Sequence, residues 1–385
     1  MLPVIPGADA CPAFPTPIPM KTSALIEDDA MRSDGLVLDF PTRKTHATQA
    51  LRIDVHAAVD DAADLAAFRT GLLATPATSS PKFFYDPQGS ALFGAICELD
   101  EYYPTRTEAR IFEHHRDDIA AALPQGSQWV DLGCGDGLKA RGWLAPVQAR
   151  RYIGVDIAEP WLRSALMALA ASLARDHASA PRGTAIDVLG VVADFTRPFD
   201  LHDVLAEQAA MPPVFFYPGS SIGNFVRDDA RAFLASVRDH IGRHPTADGK
   251  LMIGIDLVKD RATLQAAYDD AIGVTAAFNR NVLRVANRLL DADFDPAAFT
   301  HRSVYDEAAG RIEMHLVSQR RQEVRIGAAV RTFERDEPIV TEYSHKYTVD
   351  GFAALLESAG FAGGDRLRCW QDERRWFGVF VAEPA

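Results

Sequence analysis

Residues 130–137, Val130-Asp131-Leu132-Gly133-Cys134-Gly135-Asp136-Gly137, run from an apolar stretch into alternating glycines and then into a helical pattern. Glycine reaches positive φ without penalty and lets a ligand approach the backbone, so this stretch reads as the first strand–loop–helix junction of a ligand-binding parallel sheet. The same texture continues downstream. Short apolar runs at 128–132, 151–156, 190–193, 214–217 and 251–257 alternate with helical segments, the pattern of a doubly wound α/β layer with crossover helices. In one of those helices Asp228 is a candidate N-cap, Phe233, Val237 and Ile241 share a face, and Gly242 follows.

A dinucleotide fingerprint begun at Gly133 requires glycine at position 138, where the residue is Leu138. The departure weakens a nicotinamide cofactor and favours S-adenosyl-L-methionine, whose sulfonium carries no pyrophosphate to seat on a helix N-terminus. Asp156 closes the next strand, placed to accept from both ribose hydroxyls. Asp194-Phe195 closes the one after, offering a carboxylate to an adenine amino group and an aromatic wall. A second-strand acid also serves nicotinamide enzymes, so an oxidoreductase remains the alternative from a different class. A binding protein that keeps only the cofactor loop is a third reading.

Working outward, residues 258–346 hold helical blocks at 263–271 and 282–290 followed by strand-like runs at 311–318 and 323–333, an insertion with its own sheet. A helix at 351–358 and a strand at 376–382 return to the first layer. The expected fold class is α/β: a doubly wound, Rossmann-like layer from residues 110–257 and 347–385, with a discontinuous α+β substrate-binding domain from 49–109 and 258–346. Leu51, Ile53 and Val55 alternate as a short strand opening that second domain. Thr105-Arg106-Thr107-Glu108 fits a capping box, with Ala109, Phe112, Ile119 and Leu123 following at helical spacing. Six prolines among the first 20 residues mark 1–48 as a poorly structured extension.

The 385 residues carry a formal charge of −13, which argues against nucleic acid and for a small-molecule substrate. The four cysteines form no CxxC pair and His114-His115 are adjacent rather than four apart, so no metal site is expected. No apolar stretch approaches the roughly 20 residues of a membrane helix. A cytoplasmic monomer is the expectation.

The chain resembles the S-adenosylmethionine-dependent histidine Nα-methyltransferases of ergothioneine biosynthesis over residues 79–383. The resemblance rests on Ser80-Pro81-Lys82-Phe83-Phe84-Tyr85-Asp86, Glu101-Tyr102-Tyr103-Pro104-Thr105-Arg106, the glycine loop, Gly219-Ser220-Ser221-Ile222-Gly223-Asn224-Phe225, Asp256-Leu257-Val258-Lys259-Asp260, Tyr268-Asp269-Asp270, Phe278-Asn279-Arg280-Asn281 and Glu342-Tyr343-Ser344-His345-Lys346. It implies that Tyr85, Gly133, Lys139, Asp156, Asp194 and Phe195 hold the cofactor. It implies further that Tyr102, Gly219, Asn224 and Tyr268 meet the amino-acid end of L-histidine, and that Met314, Glu342 and Ser344 meet its side chain. Tyr85 and Tyr102 are the implied proton-handling pair, and three successive methylations to hercynine the implied outcome. By residue pattern alone, Asn224 is equally a helix cap, Tyr268 a core aromatic, Met314 strand packing, and Glu342 with Lys346 an exposed strand pair. Related enzymes methylate tryptophan derivatives, which keeps another amino acid open as the substrate.

Overall fold

The computed structural model describes residues 52–55, 61–176 and 185–385, so the expectation for residues 1–48 lies outside it. Its strands are β1 (Arg52–Val55), β2 (Ala77–Thr78), β3 (Gln128–Leu132), β4 (Arg151–Asp156), β5 (Asp187–Val192), β6 (Pro213–Tyr217), β7 (Lys250–Asp256), β8 (Phe299–Asp306), β9 (Arg311–Ser318), β10 (Gln322–Ile326), β11 (Ala329–Phe333), β12 (Pro338–His345), β13 (Arg368–Gln371) and β14 (Phe377–Ala382). Its helices are α1 (Asp61–Leu73), α2 (Pro87–Cys97), α3 (Tyr103–His114), α4 (Arg116–Ala121), α5 (Leu138–Leu144), α6 (Glu159–Asp176), α7 (His202–Ala206), α8 (Arg227–Gly242), α9 (Arg261–Tyr268), α10 (Val274–Leu290) and α11 (Val349–Ser358).

The large sheet is ordered β1-β5-β4-β3-β6-β7-β14-β13, parallel through β7 and antiparallel at β14 and β13. Its central strands are apolar at consecutive positions because helices cover both faces. Trp129, Tyr152, Val214 and Met252 point into one core, while their successors Val130, Ile153, Phe215 and Ile253 point into the other, as the two-residue period of a strand demands. Strand order reverses between β3 and β6, which opens a crevice at the C-terminal edge.

A smaller sheet, β2-β12-β9-β8, and the ribbon β10-β11 form a second layer. Phe278, Val282, Val285 and Ala286, on one face of α10, pack there with Phe84, Leu264, Ile312 and Phe333. The end of this layer is tied to the large sheet: the Tyr347 N–H donates to the Asp256 carbonyl at 3.0 Å and the Val258 N–H to the Tyr347 carbonyl at 2.9 Å. That tie brings the last residue of β7 beside the second residue after β12.

Several local expectations change. The strand at 52–55 pairs in parallel with β5 at the edge of the large sheet instead of joining the smaller layer. Residues 323–333 form a hairpin rather than one strand, because Gly327 turns at φ +62. Helix α8 is capped by Val226, leaving Asp228 in its first turn, where a carboxylate still favours the helix dipole. Helix α3 starts at Tyr103 with proline inside its first turn and no side-chain cap, so the capping box does not form and Glu108 is free for another task.

Candidate active site

The three glycines of the loop after β3 all take left-handed φ values, +68 at Gly133, +55 at Gly135 and +71 at Gly137, a conformation that only glycine adopts cheaply. Beneath the loop, the Tyr152 hydroxyl donates to buried Asp131 at 2.7 Å. A side chain at Gly133 would meet the Phe195 ring at 3.2 Å, so that ring packs directly against the glycine backbone and only glycine leaves it room. Asp156 ends β4 and its Oδ1 accepts from the Ala158 N–H at 3.1 Å. Asp194 Oδ2 is buried and accepts no hydrogen bond from the described residues, with Lys82 Nζ at 3.6 Å and Arg197 Nε at 3.7 Å. A glycine loop backed by an aromatic ring, a strand-end carboxylate and an unpartnered carboxylate oxygen suit a nucleoside ligand with hydroxyl and amino donors.

A cavity opens between the C-terminal edge of the large sheet and the smaller layer. Tyr85, Tyr102, Gly219, Asn224, Tyr268, Met314, Glu342 and Ser344 all line it, with Phe93 and Phe278. Thus the structure gathers every residue that the resemblance assigned to the amino acid into one place, together with Tyr85. Gly133, Asp156, Asp194 and Phe195 do not line this cavity; they lie along the adjoining sheet edge.

Local backbone geometry explains the gathering. Gly219 and Ser220 turn at φ +77 and +61 after β6, and a short 3-10 turn then ends at Asn224, two residues before the cap of α8. Asn224 therefore caps no α-helix. That turn lies so close to β12 that a Cβ on Gly223 would stand 2.9 Å from the His345 carbonyl oxygen. On β12 a bulge between Val340 and Glu342 shifts the register, and Thr341 Oγ1 donates to the Met314 carbonyl at 2.9 Å. The bulge re-aims the strand so that Glu342, paired with Met314 in β9, and Ser344 two residues on share the cavity face.

Phe93 lies edge-on to Tyr85 at 5.7 Å and to Tyr102 at 6.2 Å, and Tyr102 is edge-on to Tyr268 at 6.3 Å. Burial holds the Tyr102 and Tyr268 hydroxyls above their ordinary range, so both are protonated near neutral pH. Burial likewise pushes the Glu342 carboxyl up to about 7, against the pull of Lys346.

Two buried polar clusters were not legible as site features. Glu108 is 1% exposed; it accepts from Lys139 Nζ at 2.8 Å and from the Gly219 N–H at 2.7 Å. Lys139 is thereby held between the glycine loop and the amino-acid cavity. Asp256 accepts from Tyr103, from Lys259 at 2.5 Å and from Lys346 at 2.8 Å. Lys346, readable as an exposed strand residue, has a fully buried side chain. The i, i+3 spacing of Asp256 and Lys259 was the one hint of that cluster.

Among the described residues, Asp200, His202 and His240 come together. His240 Nδ1 donates to the Ser236 carbonyl and Nε2 accepts from the Leu201 N–H, so both its nitrogens are committed to the fold.

Residues 64–384 match the family model described as histidine-specific methyltransferase, SAM-dependent. The chain is 38% identical to the histidine N-alpha-methyltransferase of Mycobacterium tuberculosis, over 84% of this chain and 96% of that one. It is 36% identical to the enzyme of the same name from Mycolicibacterium smegmatis, over 87% and 95%. Ergothioneine biosynthesis protein 1 of Neurospora crassa is 29% identical over 72% of this chain, which spans 30% of that longer protein. These likenesses replace the nicotinamide alternative with S-adenosylmethionine as methyl donor. The chain belongs to the family of histidine-specific, S-adenosylmethionine-dependent methyltransferases and is an S-adenosylmethionine-dependent N-methyltransferase.

Proposed function

We propose that the enzyme methylates the α-amino group of L-histidine three times, giving hercynine as a step of ergothioneine biosynthesis. The observation that carries this reading is the composition of the cavity: aromatic faces together with a carboxyl and a hydroxyl that can meet a nitrogen-bearing ring. S-adenosylmethionine supplies an electrophilic methyl group on a sulfonium. The chain's own task is to hold the amine in line with that methyl group in a site sheltered from water, where proximity and orientation lower a barrier by about 7–11 kcal/mol in favourable cases.

In this reading the sheet edge at Gly133 and Phe195 holds the cofactor's adenosine, with Asp156 on its ribose and Asp194 on its adenine; Tyr85 and Lys139 lie toward its amino-acid end. Residues 110–257 and 347–385, with the strand at 52–55, serve as the cofactor part. Residues 61–109 and 258–346 serve as the substrate part. Asn224 and Tyr268 donate to the histidine carboxylate. The Gly219 N–H is committed to Glu108, so Gly219 offers its carbonyl, an acceptor for an amine proton.

Trimethylation strips the amine of its donors and leaves a fixed positive charge. Tyr85, Phe93, Tyr102 and Phe278 surround the cavity, and aromatic faces attract methylated ammonium groups without needing an N–H. Tyr102 and Tyr85 pass each released proton toward solvent by hydrogen bonding rather than as phenolates. At the other end Glu342 and Ser344 answer the two ring nitrogens while Met314 packs on the ring.

The test is incubation of purified enzyme with S-adenosylmethionine and each standard amino acid, with methyl groups counted by mass spectrometry. Histidine carrying three is expected. Turnover of tryptophan without histidine would overturn the reading, and an end product with one or two methyl groups would overturn its trimethyl part.

A further inference from the structure

Ser344 Oγ and Tyr268 Oη lie 2.8 Å apart, and Lys346 Nζ sits on both, 2.8 Å from Ser344 and 2.9 Å from Tyr268. The third Nζ proton goes to Asp256 at 2.8 Å. An ammonium has three donors and no acceptor, so Lys346 gives one proton to each hydroxyl oxygen and can take none back.

Each oxygen then keeps one lone pair and one proton. Two oxygens at 2.8 Å need a proton between them, which permits two arrangements. If Tyr268 donates to Ser344, Ser344 has both lone pairs filled and offers only a proton to a ligand. If Ser344 donates to Tyr268, Tyr268 is the one filled and offers its proton, while Ser344 offers only a lone pair. One hydroxyl of the pair is a donor toward the cavity and the other an acceptor, never both alike.

Both residues line the same cavity, so a ligand that fixes one hydroxyl fixes the other. We propose that the Tyr268–Ser344 pair, clamped by Lys346, relays donor–acceptor polarity from the carboxylate end of the bound amino acid to its ring. A carboxylate accepts only and takes the Tyr268 proton. Ser344 then turns its own proton to Tyr268 and becomes an acceptor, so the ring must present an N–H to Ser344. Tyr268 is thereby a positioning residue for ring recognition as well as a partner of the carboxylate. The inference rests on histidine being the substrate and adds which protonated ring edge is read, and by what.

Matched ring analogues of histidine test it. Pyrrol-2-ylalanine and thiazol-4-ylalanine place an N–H or a bare lone pair at the ring position next to the side-chain carbon; pyrrol-3-ylalanine and thiazol-5-ylalanine do so at the far nitrogen position. Inhibition constants against histidine, or kcat/KM where an analogue is methylated, are measured for the wild type, Tyr268→Phe and Ser344→Ala. The wild type is expected to favour N–H over lone pair by about tenfold or more at one position, because a lone pair facing Ser344 leaves a buried acceptor unpaired. In Tyr268→Phe the Ser344 proton has no tyrosine to go to and is offered to the ring, so that preference should collapse toward parity. Ser344→Ala should abolish it, while the preference at the position facing Glu342 survives in both variants.

An unchanged preference in Tyr268→Phe, or no N–H preference at either position in the wild type, overturns the relay while leaving histidine methylation standing. Failure of the wild type to methylate histidine at all overturns the substrate reading and the relay with it.

Discussion

Glu108 Oε2 lies 2.8 Å from Lys139 Nζ, and its other oxygen holds the Gly219 N–H at 2.7 Å. One buried carboxylate thus joins the helix after the glycine loop to the turn after β6, the two segments that flank the switch point of the sheet. Replacing Glu108 by alanine orphans a half-buried N–H and should lower stability by about 1–2 kcal/mol. Glutamine can still accept from Gly219 and should retain more of it. Because Gly219 borders the cavity, Glu108→Ala should also raise the KM for the amino acid. Urea denaturation with steady-state kinetics checks this; an alanine variant as stable as the wild type would remove Glu108 from its linking role.

Asp256 stands between two lysines whose side chains are 3% and 0% exposed. Removing one member of a buried ionic group leaves the rest uncompensated, so Asp256→Asn should cost about 3–5 kcal/mol at neutral pH. The deficit should shrink in alkali. Burial already brings Lys259 down to about 8, against the upward pull of Asp256, and without that pull it falls further. The folded variant then binds fewer protons than the unfolded chain, whose lysine titrates near its ordinary 10.5, and stability rises with pH across that window. Denaturation at pH 7 and pH 10 measures the difference, and a deficit that does not narrow would sink the argument.

Gly133 and Gly135 separate backbone strain from crowding. Both have left-handed φ, but a Cβ on Gly135 meets nothing within 4 Å among the described residues, whereas one on Gly133 meets Phe195 at 3.2 Å. Alanine at either should cost about 1–2 kcal/mol of strain. Only Gly133→Ala should also displace the ring and weaken S-adenosylmethionine binding in calorimetry. Equal loss of affinity in both variants would count against Phe195 as a contact of the cofactor.

The large sheet was legible because burial on both faces writes strands as unbroken apolar runs and glycine marks the one loop that needs positive φ. Most of what sequence pattern missed depended on tertiary partners. Thr105 to Glu108 satisfy a local capping rule, yet Pro104 starts the helix early and Glu108 is claimed by Lys139 and Gly219, residues 31 and 111 positions away. Lys346 follows an alternating strand and looks exposed until the tie between Tyr347 and Asp256 buries it. The bulge at Thr341 leaves no mark in the sequence, since threonine suits a regular strand equally well, yet it decides which way Glu342 points. The strand at 52–55 pairs with residues 189–192, a distance that local alternation cannot report.

Glu342 is the residue at which stability and recognition pull apart. Burial raises its carboxyl from an ordinary 4.5 to about 7, so between those values the folded state holds a proton that the unfolded chain has released. Stability therefore falls as pH rises through this window and is fully regained below it. A tenfold change in proton affinity corresponds to about 1.4 kcal/mol, and a side chain at the edge of a solvent-connected cavity should realise only part of the total, about 1–3 kcal/mol. Glu342→Gln removes this titration: the stability of the wild type relative to the variant should fall from pH 4.5 to 7, and the variant should exceed the wild type above pH 7. The same change removes the carboxyl that answers an imidazole nitrogen, so histidine kcat/KM should fall by about tenfold or more while S-adenosylmethionine affinity holds. Thermal melts across pH together with histidine kinetics decide the matter, and a variant less stable than the wild type at pH 8, or one that keeps wild-type histidine kinetics, would show that Glu342 is held by the fold rather than kept for the substrate.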